Sequence, residues 1–287
     1  MTNKAVKSIP AVLVFVCFAV LSIYVSHLVH KRLLADREQA FRLQAADAAL
    51  ELKGVLDRHR DFVEGIATYM ALKQGAFFDG VESDETDFWK MTSPTIERGA
   101  GLKAVFWAPR VEDADRSAFE EKVGKEEDGF TIFEFAGLGQ RGKLSAREEY
   151  MPGLFVVPSD FDRDVLGLDF NSHPDIEPVL RRACATDRVI TSSSLLLSQA
   201  AGESSGVVMA HPVYREGKPV ETPEQRIEHL VGMVMVYLDL EALIYSALDP
   251  QARALDLTLF AGGRADESRI IYSNTLSAEP ASGFTSR

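Results

Sequence analysis

The stretch GVVMAHPVYREGKPVETPEQRIEHLVGMVMVYL, Gly206–Leu238, decides the fold class. Its two ends, GVVMAHPVY and LVGMVMVYL, are apolar runs of strand length that are rich in β-branched residues. The segment between them is polar and holds glycine and proline. Consecutive strands with no predicted helix between them pair antiparallel. The sequence therefore predicts an α+β fold built on an antiparallel sheet.

Shorter elements continue this pattern on both sides of the opening stretch. Strand-like runs are predicted at 102–109, 129–135, 153–157, 188–192, 194–199, 255–261 and 269–273. Helices are predicted at 112–123, 175–187 and 240–248, the second with Pro178 in its first turn.

The N-terminus carries an apolar run, IPAVLVFVCFAVLSIYVSHLV, at residues 9–29. Its length is enough for a helix to cross a hydrocarbon core of about 30 Å. A cleaved signal peptide is the alternative, but no small-x-small cleavage site follows closely. The run therefore predicts an uncleaved membrane helix at 9–29. Lysines and arginines lie on both sides of it, so the charges alone leave its orientation open.

A long stalk helix is predicted at residues 30–75, which contain no proline. Apolar or small residues, interrupted by His59, recur there with heptad spacing, which is typical of a helix that pairs with another. The two sets that form this seam are Leu34, Phe41, Ala48, Val55, Phe62 and Tyr69, and Ala45, Leu52, His59 and Ile66. A homodimer through the stalk is the favoured interpretation. The alternative is a helix that packs on its own domain.

Composition excludes several classes of function. The net charge of −12 argues against a nucleic-acid-binding protein. The chain has two cysteines, Cys17 in the apolar run and Cys184, so no internal disulfide is expected. No motif for a metal or a nucleotide phosphate occurs. The GLGQRG segment, 137–142, is followed by polar residues and a proline, so it is interpreted as a hairpin loop and no cofactor is predicted.

The segment RVITSSSLLLSQ, Arg188–Gln199, concentrates hydroxyl groups between two apolar runs. Its hydroxyls are candidates for a nucleophile, for a ligand-pocket wall or for a polar turn. A hydrolase acting through Ser192–Ser194 would need a histidine beside one hydroxyl, and only His173 or His211 could approach it through the fold. No catalytic residue is assigned, and the hydrolase stays an alternative.

Five segments together resemble a known family. They are LKAVFWAPRVEDADRSAFE, REEYMPGLFVVP, GLDFNSHPDIEPVLRRACATDRVITSSSLLLSQ, GVVMAHPVYREG and LVGMVMVYLDLEALI. In this order and spacing they resemble the CHASE domain, from about Phe77 to Leu248. That domain is the extracytoplasmic sensor of membrane histidine kinases and nucleotide cyclases, including the plant cytokinin receptors.

The resemblance implies a domain order. A cytoplasmic N-terminus at 1–8 and the membrane helix at 9–29 would precede the stalk at 30–75. A membrane-distal PAS-like lobe at 76–228 would hold a small-molecule ligand, and a truncated membrane-proximal lobe would occupy 229–287. The module would be periplasmic or extracellular, anchored in the inner membrane. Its output domain, a histidine kinase or a diguanylate cyclase or phosphodiesterase, would follow Arg287, so we expect a fragment of a longer receptor. A dimerisation module without a ligand is a further alternative.

The resemblance also implies where the ligand binds. Leu180 corresponds to an apolar wall residue on a helix, and Thr191 to a pocket threonine on the following strand, with Ser192 beside it. Tyr150, Phe155 and Val157 fall on or beside another wall. The cytokinin receptors are expected to carry an aspartate about where Pro158 stands, so a ligand other than a cytokinin is predicted.

Overall fold

The computed structural model describes residues 5–73, 81–99, 101–158, 161, 165–193, 195, 206–250, 252–260 and 270–274 of the chain. The helices are α1 Ala5–Lys73, α2 Val81–Glu97, α3 Arg116–Val123, α4 Glu177–Thr186, α5 Pro223–His229 and α6 Leu240–Ala247. The strands are β1 Leu102–Pro109, β2 Val111–Glu112, β3 Glu134–Phe135, β4 Arg141–Gly142, β5 Glu149–Tyr150, β6 Phe155–Val157, β7 Ile190–Thr191, β8 Gly206–Tyr214, β9 Leu230–Asp239, β10 Thr258–Phe260 and β11 Ile270–Ser273. Two 3₁₀ turns occupy Phe170–Ser172 and Ala252–Ala254.

The two runs of the opening stretch form the longest strand pair, β8 with β9. They pair antiparallel from Gly206 opposite Asp239 to Val213 opposite Gly232. Together with three further strands they make an antiparallel sheet in the order β6-β1-β9-β8-β7. Every residue of β9 from Gly232 to its end is buried, as its continuous apolar sequence requires for a central strand. The predicted α+β class with an antiparallel sheet is confirmed.

The connection between β8 and β9 contains the short helix α5, which was not predicted from the sequence. Thr222 accepts a hydrogen bond from the Gln225 backbone N–H, and the Gln225 side chain accepts one from the Thr222 N–H. This reciprocal capping box, with Pro223 in the first turn, starts a helix that has no buried face. Apolar periodicity could not reveal it, but the Thr-x-x-Gln spacing is its sequence signal.

The two faces of the sheet carry different neighbours because strand residues alternate in direction. One row of paired residues runs Val157, Val105, Val236, Met209 and Thr191 across the five strands. The adjacent residues lie on the opposite face, where the main core packs against α4. That core includes Phe106, Val156, Leu180, Ala210 and Met235.

The long N-terminal helix is confirmed: α1 runs without a break for 69 residues. The chain has two compact units, 1–50 and 51–287, and α1 contributes to both. The predicted membrane segment 9–29 lies in this helix, and the side chains of 9–17 are outside the described residues. Within the described part of the chain, no helix meets the length and apolarity that a membrane crossing needs.

The burial of the heptad seam differs along the length of α1. In the second unit Leu52, Val55, His59 and Ile66 are all buried within the chain itself. For this part of the seam the structure therefore matches the alternative, a helix that packs on its own domain. Further towards the N-terminus, Leu34 and Phe41 are exposed.

The predicted division between lobes at 228/229 stays a prediction. It falls at the end of α5, just before β9, which is hydrogen-bonded to both β1 and β8. One predicted strand needs correction. The strand predicted at 129–135 forms only at Glu134–Phe135, because the Ile132 N–H donates to the Glu120 side chain over 2.8 Å instead.

The GLGQRG segment lies in a hairpin, as predicted. β3 pairs antiparallel with β4, with Phe135 opposite Arg141. No helix follows this glycine-rich loop, so it offers no helix N-terminus to a dinucleotide.

Candidate functional site

A cavity of about 460 Å³ opens beside α4. We call it the α4 pocket. Its walls come from the segment around β5, from α4, from the end of α5 and from the start of β9. This volume lies in the range of small-molecule sites, about 300–1,000 Å³.

Helix α4 is positioned by its amphipathic sequence. Val179, Leu180, Ala183 and Cys184 are buried, at the spacing that gives one apolar face. The helix ends at Asp187, which adopts the left-handed conformation.

Two side chains from other elements hold the last carbonyls of α4. The Tyr214 hydroxyl donates to the Cys184 carbonyl over 3.1 Å, and the Arg226 guanidinium donates to the Ala185 carbonyl over 2.6 Å. These bonds satisfy carbonyls that have no partner within the helix. They tie the pocket wall to β8 and α5.

The floor of the α4 pocket is apolar. It consists of Met151, Leu180, Cys184, Ile227, Leu230 and Met233. Burial raises the pKa of the Cys184 thiol, so the thiol stays protonated at neutral pH and behaves as an apolar group. The floor therefore suits the apolar body of a small molecule.

The rim of the α4 pocket is charged. It carries Arg147, Glu148, Glu149, Glu177 and Arg181. Glu149 is paired with Arg110 at 2.5 Å, and Glu177 with Arg181 at 3.3 Å. Polar groups around an apolar floor are the usual arrangement for orienting a ligand.

Asp169 lies fully buried next to this rim. Its Oδ1 accepts hydrogen bonds from the Met151 and Asn171 backbone N–H groups, at 2.8 and 3.1 Å. Its Oδ2 lies 3.8 Å from Arg147 Nε and has no hydrogen-bond partner. Burial raises the pKa of Asp169 above its ordinary value, although the two N–H donors oppose the rise.

A second cavity, of about 300 Å³, lies between α1 and the other face of the sheet. We call it the stalk pocket. Leu52, Leu56 and Arg60 of α1 line it together with Thr191 of β7 and Met209 of β8. It touches the stalk helix directly, whereas the α4 pocket does not.

The structure separates the predicted site residues. Leu180 lines the α4 pocket, whereas Thr191 and Ser192 line the stalk pocket. Thr191 pairs with Met209, and its neighbour Ile190 pairs with Ala210, which lies in the core with Leu180. Leu180 and Thr191 therefore lie on opposite faces of the sheet, so the expectation of one shared pocket needs correction.

The three remaining predicted residues line neither cavity. The Phe155 ring lies 5.6 Å from the Phe88 ring of α2, and Val157 shares that buried face of β6. The Tyr150 hydroxyl donates to Asp113 Oδ1 at 2.9 Å, and its ring is buried in a small satellite core.

The serine hypothesis can be tested at Ser192. Its hydroxyl donates to the Ser193 carbonyl over 2.6 Å and accepts from the Val208 N–H at 2.9 Å. Neither partner is a histidine, so among the described residues no hydrogen-bonded base activates this hydroxyl as a nucleophile. Ser194 lies outside the described residues.

The charged rim of the α4 pocket was not among the predicted site residues. Arg147, Glu148 and Glu149 stand directly before Tyr150, so a charge cluster beside a predicted wall strand was the available signal. In the part of the chain that the structure describes, no group of three or more His, Cys, Asp or Glu side chains could hold a metal ion.

Known proteins resemble this chain over different extents. The germination-specific adenylate cyclase of Dictyostelium discoideum is 28% identical over 102 residues, which make up 35% of this chain and 12% of the cyclase. The ligand-binding domain of the Pseudomonas aeruginosa PAO1 amino acid chemoreceptor PctC, solved in complex with GABA, is similar with a TM-score of 0.40 and 17% identity. That similarity covers 72% of this chain and 66% of the chemoreceptor chain.

The family comparison covers the whole sheet and the walls of the α4 pocket. The model of the CHASE domain matches residues 82–272. The match includes all five strands of the sheet and helix α4. Because it spans well over half of the sequence, the chain belongs to the CHASE domain family.

Proposed function

We propose that this chain is the ligand-sensing region of a membrane receptor and that its small-molecule ligand binds in the α4 pocket. The observation that carries the proposal is the pocket itself. Within the region matched by the CHASE family, an apolar floor of suitable size is surrounded by charged side chains. Leu180 is the predicted residue that we keep as a ligand contact.

Strand β8 offers the path for a signal. Val208 and Ala210 pack in the core with Leu180, whereas Val207 and Met209 face the stalk pocket with Leu52 of α1. A shift of α4 on ligand binding would therefore displace β8 against the stalk helix. Packed elements respond to such shifts by moving between discrete arrangements. Thr191 and Ser192, in this proposal, belong to the relay between sheet and stalk.

The rest of the receptor is proposed from the sequence and the family. The apolar segment 9–29 would anchor the chain in the inner membrane, with the sensor in the periplasm. Exposed Leu34 and Phe41 would pair two stalks in a homodimer. A membrane-proximal lobe would begin after Asp239 and include β10 and β11. The output domain would be a kinase, or a cyclase or phosphodiesterase.

Blocking the pocket tests this proposal. Ala185 lines the α4 pocket with an exposed side chain, so Ala185→Trp fills the opening without disturbing the core. Thr186→Trp is the matched control, because Thr186 is exposed on the same helix but does not line the pocket. The full chain in nanodiscs is screened by thermal unfolding against a panel of amines, amino acids, carboxylic acids and nucleobases.

A compound present at a hundred times its Kd stabilises a protein by about 2.7 kcal/mol, which raises Tm by several degrees. We expect compounds that stabilise the parent chain to stabilise Thr186→Trp equally and Ala185→Trp far less. Stabilisation that survives in Ala185→Trp would place the ligand elsewhere.

A further inference from the structure

We infer that the ligand of the α4 pocket carries a positive charge beside an apolar body, and that Glu148 is its counter-ion. This inference rests on the proposed function of the pocket and adds the chemical class of the ligand. It follows from which of the charged groups on the rim already have partners.

Both carboxylates that flank Glu148 around the rim are occupied. Glu149 binds Arg110, whose Nε lies 2.5 Å from Glu149 Oε2. Glu177 binds Arg181 one helical turn away at 3.3 Å. Neither pair leaves a full negative charge for a ligand.

The guanidinium of Arg147 is also occupied. It donates to Glu134 Oε1 over 3.1 Å and to the Asn171 carbonyl over 3.2 Å. Asp169, fully buried, lies 3.8 Å from the same group. Two carboxylates therefore face one guanidinium, so Arg147 offers little attraction to an anionic ligand.

Glu148 differs from these groups. Among the contacts of the described residues, its side chain has no ion pair and no hydrogen bond, and it is exposed at the pocket rim. Its backbone is held in place, because its carbonyl accepts from the Asp113 N–H at 3.0 Å. An unpaired carboxylate at the edge of an apolar cavity is a binding group for a cation.

The floor defines the other half of the ligand. Met151, Leu180 and Met233 are buried and present apolar surface. Methionine side chains adapt to irregular shapes and make favourable contacts with aromatic rings. An aryl or alkyl body with an ammonium group at one end therefore matches the pocket.

Three probes that share one apolar body and differ in the charge of their terminal group test this class of ligand. 3-Phenylpropylammonium, 3-phenylpropanol and 3-phenylpropionate are titrated calorimetrically into the full chain in nanodiscs of zwitterionic lipid. We expect the ammonium probe to bind about fivefold more tightly than the alcohol, and the carboxylate to bind most weakly, since one partly screened ion pair is worth about a factor of five.

Variants of Glu148 locate the charge. Glu148→Gln should weaken the binding of the ammonium probe about fivefold, to the affinity that the alcohol has for the parent chain. Glu148→Lys should reverse the order and favour the carboxylate. Glu97→Gln is the matched control, because Glu97 is exposed and unpaired among the described residues but lies on α2 outside the pocket lining. It should leave all three affinities unchanged.

The outcomes separate the inference from the proposed function. If the three probes bind equally, or if Glu148→Gln leaves their order unchanged, the cationic class is wrong, while a loss of binding in Ala185→Trp would still support the pocket. If none of the probes binds, the cationic class is wrong, and the compound panel with Ala185→Trp still decides whether the pocket is the ligand site. If binding persists in Ala185→Trp, the α4 pocket is not the ligand site and both proposals fail.

Discussion

At the scale of single residues, Gly232 shows how closely the strands of the sheet pack. A Cβ atom added there would lie 2.5 Å from the Ala108 carbonyl oxygen and 2.5 Å from the Trp107 ring. The carbonyl belongs to β1, which pairs with β9 at this point, so it has no room to move. The position requires glycine for space alone.

We predict that Gly232→Ala lowers the free energy of unfolding by about 1–3 kcal/mol, the usual cost of overpacking. Urea denaturation followed by tryptophan fluorescence measures it. Gly65→Ala is the control, because Gly65 lies inside α1 and no atom beyond the local helix backbone lies within 4 Å of its added Cβ. Alanine should stabilise that helix by about 0.5–1 kcal/mol. Equal effects at both positions would contradict the role given to packing.

Single residues also show which parts of the site could be predicted from the sequence. Leu180 lies on a helix whose apolar spacing identifies its buried face, whereas its assignment to a ligand wall came from the resemblance to the CHASE domain. Thr191 lies in a two-residue strand, and a shift of one residue in register exchanges its two faces. Its direction is set by the pairing of Ile190 with Ala210, which no local pattern encodes.

At the scale of elements, the α4 pocket depends on how the C-terminus of α4 is held. Arg226 on α5 donates to the Ala185 carbonyl, to the Val220 carbonyl over 2.8 Å and to the Glu221 carbonyl over 3.2 Å. One side chain thus joins α4 to the connection between β8 and β9. Its removal would leave three carbonyls without this donor.

We predict that Arg226→Ala destabilises the chain by about 1–2 kcal/mol, because each hydrogen bond contributes about 1 kcal/mol and water replaces some of them. Hydrogen exchange should accelerate most in α4 and α5. Arg182→Ala is the control, since Arg182 is exposed on α4 without a described side-chain partner. Unchanged exchange in α4 after Arg226→Ala would show that the apolar face alone holds the helix.

Elements with strong periodicity were predictable, and those held by side-chain bonds were not. Helix α4 and strand β1 were predicted within two residues of their observed ends. The heptad seam of α1 could not tell pairing from packing on its own domain, because both bury the same stripe.

At the scale of the whole molecule, two buried histidines link stability to pH. His59 on α1 is buried, and its Nδ1 donates to the Val55 carbonyl over 2.8 Å. His173 is buried against the Phe135 ring, with 4.1 Å between ring centroids, and its Nε2 has no hydrogen-bond partner. Burial lowers the pKa of both, although the charge of Asp175 opposes this at His173.

The sign of the pH dependence follows from that direction. Because the folded pKa lies below the unfolded value of 6.5, the unfolded chain binds more protons between the two values. The stabilisation is complete above 6.5 and is lost as the pH falls through the folded pKa. Each histidine can change the free energy of unfolding by at most about 1.4 kcal/mol per pH unit.

We therefore predict that the free energy of unfolding falls as the pH is lowered from 7.5 to 5.5. In a double variant, His59→Gln with His173→Gln, it should fall less steeply. Asp169 acts in the opposite direction, because its raised pKa makes its contribution favourable only at low pH. It is present in both proteins, so the difference between their slopes isolates the histidines. His30→Gln, at an exposed position of α1, should keep the parent slope. A double variant with the parent slope would mean that burial does not hold these rings neutral.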